Sequence, residues 1–310
     1  MTRALGAKQR STGAAIAVLI GLVLSSWIAP PVARAQGTAP NTYVGSEVCQ
    51  ACHPVPTATF SETLHGKLFE HEPRNTLESR GCEACHGPGS AHAASNGEEA
   101  LEVAFGGGSP QPPSEQNAVC LQCHEKTARL YWEGGPHESR DLRCTNCHTL
   151  MRKVSEERQL AQVNEVETCG QCHTQRRAQS RRSNHMPLRE GQMKCTNCHN
   201  PHGSANPKLL KEASVNEVCY TCHAEKRGPF LWEHAPVVES CLNCHDPHGT
   251  NHEKLLKVAK PRLCQQCHIE VFHPTQPQTP ESRFVFNRSC TNCHSQIHGS
   301  NHPSGLRWHR

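Results

Sequence analysis

The sequence predicts a chain of mostly coil and short α-helices, with little or no β structure, arranged as an elongated array of five tandem repeats. Three observations lead there. All 20 cysteines fall in Cys-x-x-Cys pairs, each followed at once by histidine. Aromatic residues make up 5% and apolar residues 35% of the 310 residues, too few to fill a conventional core. The paired motifs also return at regular intervals along the chain.

The ten motifs are Cys49/Cys52/His53, Cys82/Cys85/His86, Cys120/Cys123/His124, Cys144/Cys147/His148 and Cys169/Cys172/His173, then Cys195/Cys198/His199, Cys219/Cys222/His223, Cys241/Cys244/His245, Cys264/Cys267/His268 and Cys290/Cys293/His294. No cysteine is left over for a disulfide. Zinc and iron–sulfur sites also use Cys-x-x-Cys, but zinc sites need pairs of pairs and do not require a histidine after each second cysteine. Two thiols three positions apart reach both vinyl groups of one porphyrin as thioethers, and the adjacent histidine then lies beneath the iron. The reading is ten covalently bound c-type haems, each with the histidine of its motif as proximal ligand. The fold class is therefore multihaem cytochrome c, in which porphyrin supplies the apolar bulk that the side chains lack.

Residues 1–35 read as a cleaved signal peptide. Arg3, Lys8 and Arg10 form its basic start, Ala14 to Ile28 its apolar stretch, and Ala33-Arg34-Ala35 a small-x-small cleavage site. An uncleaved anchor is the alternative, but Ser25, Ser26 and Pro30-Pro31 interrupt a run already short for a span. No cysteine stands at the junction to carry a lipid. Export suits covalent haem, which bacteria attach outside the cytoplasm, so the expected address is the periplasm. Residues 36–42 form a flexible lead and 43–310 the decahaem domain, with no transmembrane segment of its own. Removing the signal takes four of the 32 basic residues and none of the 28 acidic ones, leaving a balanced chain. Haem propionates would make it acidic, so nucleic-acid binding has no electrostatic support.

Odd-numbered motifs begin at Cys49, Cys120, Cys169, Cys219 and Cys264, separated by 71, 49, 50 and 45 residues. Gly106 to Pro113 is an irregular insertion that accounts for the long first interval. Ser46, Asn164 and Asn216 stand ahead of odd motifs and read as helix N-caps. Two even motifs match closely, Cys195 to Gly203 ending Asn-Pro-His-Gly and Cys241 to Gly249 ending Asp-Pro-His-Gly. Both continue to Lys-Leu-Leu-Lys at the same offset, Lys208 to Lys211 and Lys254 to Lys257. The expected di-haem units are about 43–113, 114–163, 164–214, 215–258 and 259–310, each contacting mainly its neighbours.

Of the 23 histidines, those outside the motifs fall into two classes in phase with the repeat. His65, His137, His185, His234 and His273 lie between the odd and even motifs of a unit, whereas His92, His202, His248 and His298 follow an even motif. Both classes are expected to be distal ligands; His71, His252, His302 and His309 stand outside the phase. His202, three residues past His199, lies on the same side of that haem and should serve a neighbouring one. The even motif at Cys144 breaks the pattern by placing Met151 where later repeats place His202 and His248. Methionine is an alternative axial ligand that raises haem potential, so Met151 is one candidate for the tenth distal ligand and His302 or His71 the other.

None of the ten motifs is altered in the way that marks an open iron, and candidate distal ligands are plentiful. Electron transfer without catalytic residues is therefore expected over a haem-based reductase. The tags Asn200-Pro201-His202-Gly203 and Asp246-Pro247-His248-Gly249, the segment Arg227 to His234 and the ending Ser295 to Pro303 resemble the MtrA/DmsE-type periplasmic decahaem cytochromes, with MtoA and PioA as relatives. The resemblance covers essentially the whole mature chain. It implies a haem wire held in an outer-membrane β-barrel of the MtrB type. Such a wire links periplasmic electron carriers to extracellular partners, among them a further multihaem cytochrome. Outward flow would serve metal or dimethyl sulfoxide reduction, and inward flow ferrous iron oxidation. The alternative is a soluble periplasmic shuttle or store.

Overall fold

The computed structural model describes residues 40–183, 188, 190–268 and 289–308. It divides into Met1–Pro40, which lies almost wholly outside the described residues together with the expected signal, and Asn41–Arg310. Within the second unit helices are short, the longest being Pro113–His124 with 12 residues. Among the described residues there are no strands, only isolated bridges such as His148 to Leu160 and His199 to Leu210. Mostly coil with short helices is thus the observed class. No described helix is long and apolar enough to cross a membrane.

Odd and even motifs fold differently. Odd motifs sit in or at the end of helices, as in Ser46–Cys52, Pro113–His124, Glu165–Gly170 and Val215–Tyr220. Several even motifs make a single turn, Cys144–Cys147 or Cys195–Cys198, after which His148 and His199 are extended. After those extended histidines the chain loops back through two consecutive left-handed residues. They are Arg158-Gln159, Lys208-Leu209 and Lys254-Leu255, with φ between 49° and 60°. None is glycine, so each conformation costs of order 1 kcal/mol or more and persists only because its surroundings impose it.

Buried apolar side chains are few: Phe60, Trp132, Leu160, Val218 and Leu256. The groups that tie the motifs together are largely polar. The amide of Asn117 donates to Leu142 O and its oxygen accepts from Cys144 N, joining the third and fourth motifs. Asn216 does the same between the seventh and eighth, donating to Val237 O and Val238 O and accepting from Cys241 N. Ser46 Oγ accepts from Cys82 N. In the third unit Glu165 takes over, accepting from both Thr196 N and Thr196 Oγ1.

These bonds correct two of the expected caps. Asn164 does cap its helix, accepting from Glu167 N. Ser46, however, lies inside its helix, where Gly45 is the cap residue. Asn216 also lies inside, and Ser214 caps that helix through Glu217 N. Both side chains are occupied by a second motif of the same unit, a tertiary demand that overrides the local one.

Asn216→Ala would strand the Cys241 N–H and two carbonyls at a buried position, at a cost of about 2–3 kcal/mol. Asn164→Ala should cost only about 1 kcal/mol, as an N-cap loss. Thermal unfolding of the two haem-loaded variants checks the order.

Candidate haem-ligand site

Three even proximal histidines are held by the strained return loop behind them. The Nδ1 atoms of His148, His199 and His245 lie 3.0, 2.9 and 2.8 Å from the carbonyls of Arg158, Lys208 and Lys254. A carbonyl only accepts, so these Nδ1 atoms carry the proton and Nε2 is left as the ligating nitrogen. The left-handed residue supplies the orienting carbonyl. His86 is held in the same way by Val103 O at 2.9 Å.

Histidines outside the motifs are oriented likewise, often from the next unit. His137 Nδ1 donates to Pro201 O at 2.7 Å and His234 Nδ1 to Ile297 O at 3.0 Å. His92 Nδ1 donates to Glu99 O. Two side chains replace a carbonyl: Gln159 Oε1, 2.6 Å from His65 Nδ1, and Asp246 Oδ1, 3.2 Å from His248 Nδ1.

The rings then meet in pairs. His53 stands opposite His92 with centroids 6.2 Å apart, His124 opposite His65 at 5.8 Å, and His173 opposite His137 at 6.2 Å. His148 faces His202 at 6.1 Å, His199 faces His248 at 6.2 Å, His245 faces His298 at 6.3 Å and His268 faces His234 at 6.2 Å. These separations exceed ordinary ring contact and match two imidazoles on opposite faces of one metal, each bonded at about 2 Å. In every pair one member is the histidine of a Cys-x-x-Cys-His motif. The residues therefore fit a haem with two imidazole ligands.

Two further motif histidines are His223 and His294. His223 is exposed, and its Nδ1 lies 3.8 Å from Glu225 Oε1, a carboxylate two residues further on. Glu225 rides on the short helical turn Ala224–Lys226 that follows this motif directly. His294 keeps the even-motif arrangement, its Nδ1 donating to Arg307 O, but the carbonyl comes from 13 residues along, just before left-handed Trp308. The assignment of both as proximal ligands rests on the motifs themselves.

His185, His273 and His309 lie outside the described residues. His302 does not face a motif histidine among the described residues; its Nδ1 accepts from Ser304 N. Met151 is exposed, as are Val55, Leu64, Leu130, Val163, Leu231 and Leu306. Such open apolar side chains are the surface a porphyrin covers.

The cysteines are also ordered. The first thiols of the two motifs in a unit interact with each other: Cys49 with Cys82, Cys120 with Cys144, Cys169 with Cys195, Cys219 with Cys241 and Cys264 with Cys290. The second thiols interact across unit junctions, Cys85 with Cys123, Cys147 with Cys172, Cys198 with Cys222 and Cys244 with Cys267. Successive motifs therefore lie near one another along the chain. Cys293 is the exception among the even second thiols. It is exposed where Cys85, Cys147, Cys198 and Cys244 are half-buried.

Two comparisons with families agree with this geometry. Residues 185–228 and 234–272 match the doubled CXXCH motif family, and residues 82–169 the NrfB-like cytochrome c-type proteins. The multiheme cytochrome MtrA of Shewanella baltica is 42% identical over 272 residues, covering 84% of this chain and 80% of that protein. The chain is a multihaem c-type cytochrome of the MtrA family. More distant likenesses are the cytochrome c-type proteins NrfB of Escherichia coli and Haemophilus influenzae. They are 28% and 26% identical over 42% and 43% of this chain, and each is covered over 65% of its length. The cytochrome thus binds covalent c-type haems and serves electron transport.

Sequence reasoning did not find the orienting partners Gln159 and Asp246, nor the anchors Asn117 and Glu165. One signal was present: Ser46, Asn117 and Asn216 all stand three residues before an odd motif. The phase of the histidines did single out every described ring that faces a motif histidine in these pairs, but not which one it faces.

Burial, ahead of the nearby His148, pushes His202 down to about 4, and burial does the same to His298. In the unfolded chain these rings protonate near 6.5. The stability they contribute is complete above that value and is lost as pH falls through about 4. Iron competes with the proton for the same nitrogen, so acid titration of the haem-loaded protein should leave its low-spin spectrum unchanged down to about pH 4 and convert it toward high spin only below that.

Proposed function

We propose that this cytochrome carries ten c-type haems in the periplasm and passes electrons along them, in chain order, through an outer-membrane β-barrel of the MtrB type. The observation that carries the reading is the set of facing histidine pairs that cross unit junctions, among them His148 with His202 and His199 with His248, combined with likeness to MtrA over most of both chains. Each haem, once bound, supplies one-electron chemistry at iron. In the seven described pairs the histidines would fill both axial positions, which suits a carrier and leaves a substrate no access there.

In this reading the ligand pairs bind units together. His202 belongs to the third unit but faces His148 of the second, and His248 of the fourth faces His199 of the third. His137 and His173 make a further cross-unit pair. Pro201 O, beside His202, orients His137, so one short segment serves two of these pairs. Every junction crossed by a ligand draws the two attachment motifs close, as electron hopping needs.

The close packing of Gly203 protects this arrangement. Its φ is +116°, and a Cβ there would drive into the carbonyl of Tyr131. Gly249 repeats it, at φ +126°, against Gln179 O. The glycines thus let the histidine-bearing tag of one unit lie directly on the backbone of the unit before.

Partners in this scheme are periplasmic carriers on one side and an extracellular acceptor or donor, such as a further multihaem cytochrome, on the other. Metal or dimethyl sulfoxide reduction and ferrous iron oxidation are the substrate chemistries it would serve. Detergent extraction of native outer membranes, followed by purification on the haem protein, is expected to bring down a stoichiometric β-barrel. Recovery of the cytochrome alone from the soluble periplasm would replace the conduit with a shuttle.

Asp246 gives a finer prediction. Its carboxylate lends negative charge to the His248 imidazole, which strengthens it as a donor and lowers the potential of its iron. Asp246→Asn, the residue at the matching position 200, is expected to raise one midpoint in a potentiometric titration and leave the others in place.

A further inference from the structure

The even motifs obey a register rule. The residue three past an even motif's histidine faces the histidine of the preceding even motif: His202 faces His148, His248 faces His199 and His298 faces His245. For His298 the spacing from its own motif is four rather than three, one residue being added after His294. The planes of the three pairs are inclined by 12° to 17°. One junction remains. The residue three past His148 is Met151, and the preceding even motif ends at His86.

His86 is prepared as a ligand in the same way as the others, with Nδ1 on Val103 O at 2.9 Å. Among the described residues no imidazole stands opposite it. The ring beside it is Phe105, edge-on with centroids 5.3 Å apart. The in-phase histidines nearest in sequence are already placed, His92 against His53 and His65 against His124.

The surrounding segment differs where the register predicts a different ligand. At later junctions the carbonyl just before the tag histidine, Pro201 O or Ile297 O, orients the histidine of the unit before. At this junction the side chain of Gln159 performs that task for His65. Leu150 is thus released from it, and the Thr149-Leu150-Met151 segment carries no Pro-His-Gly tag. His65 keeps its orientation while the residue at the ligand position changes.

We propose that Met151 is the distal ligand of the haem held by Cys82, Cys85 and His86, making one histidine–methionine iron among bis-histidine neighbours. This rests on the axial pairing proposed above. A thioether is a neutral, polarizable donor that favours ferrous iron, so this haem has the highest potential in the chain. It is the last to give up its electron on oxidation.

Near-infrared magnetic circular dichroism of the oxidised haem-loaded protein tests it. One haem's worth of the thioether-to-iron charge-transfer band is expected in the native protein. In Met151→His the band should vanish, and the highest-potential component of the redox titration should move down among the others. In Met151→Ala the band should vanish and the reduced protein should take up one equivalent of carbon monoxide. Absence of the band from the native protein, or its survival in Met151→His, overturns the proposal. Haem counting by pyridine haemochrome and the bis-histidine bands separate the two readings. Ten haems, bis-histidine bands and no thioether band overturn Met151 alone; loss of the bis-histidine bands overturns the pairing beneath it.

Discussion

A haem iron with two axial ligands needs them on opposite faces of the porphyrin, yet a Cys-x-x-Cys-His motif is too short to reach both. The motif fastens the ring edge and supplies one imidazole from one side. The second must come from another stretch of chain brought round to the far face. Repeated along one polypeptide, this requirement does the work that apolar packing does in an ordinary domain. Most of the facing histidines come from neighbouring units, so with haem bound as proposed the units could not separate without breaking iron–ligand bonds. Among the described residues, five buried apolar side chains and a set of buried polar anchors are then enough.

A ligand must also present the correct nitrogen at the correct angle. The chain meets this mainly with backbone carbonyls, which can only accept a hydrogen bond and so define the tautomer. Presenting those carbonyls needs unusual backbone. Arg158, Lys208 and Lys254 each take a left-handed conformation while orienting an even-motif histidine. Local strain is concentrated beside the ligands, and the metal bonds it prepares offset it. Where a side chain replaces the carbonyl, electrostatics enter: Gln159 is neutral, but Asp246 carries charge to the ring it orients.

Polar anchoring follows from the same economy. Asn117 and Asn216 each bridge an odd motif to the even motif that follows, and Glu165 does so in the third unit. Such bonds are directional, so they set the relative placement of two attachment motifs more narrowly than apolar contact would. That placement puts the first thiols of each unit side by side. A local reading of Asn216 as a helix cap failed because its buried amide is engaged by this longer-range demand.

Much was legible in the sequence because haem attachment is local chemistry. Two thiols, their spacing and an adjacent histidine define the covalent site within five residues. Poor apolar content and dense motifs then exclude long helices and sheets. The phase of His65, His137, His234 and the tag histidines is likewise a one-dimensional property. Pairing is not. Whether His92 faces His53 or His86 depends on which face of which ring the chain passes. The left-handed loops, Gln159 and Asp246 acquire their roles from the same path through space. The sequence by itself determined where haem is fastened and the periodicity of its partners. Only the tertiary structure decided which partner meets which ring, because opposite faces of one porphyrin are reached by segments distant along the chain.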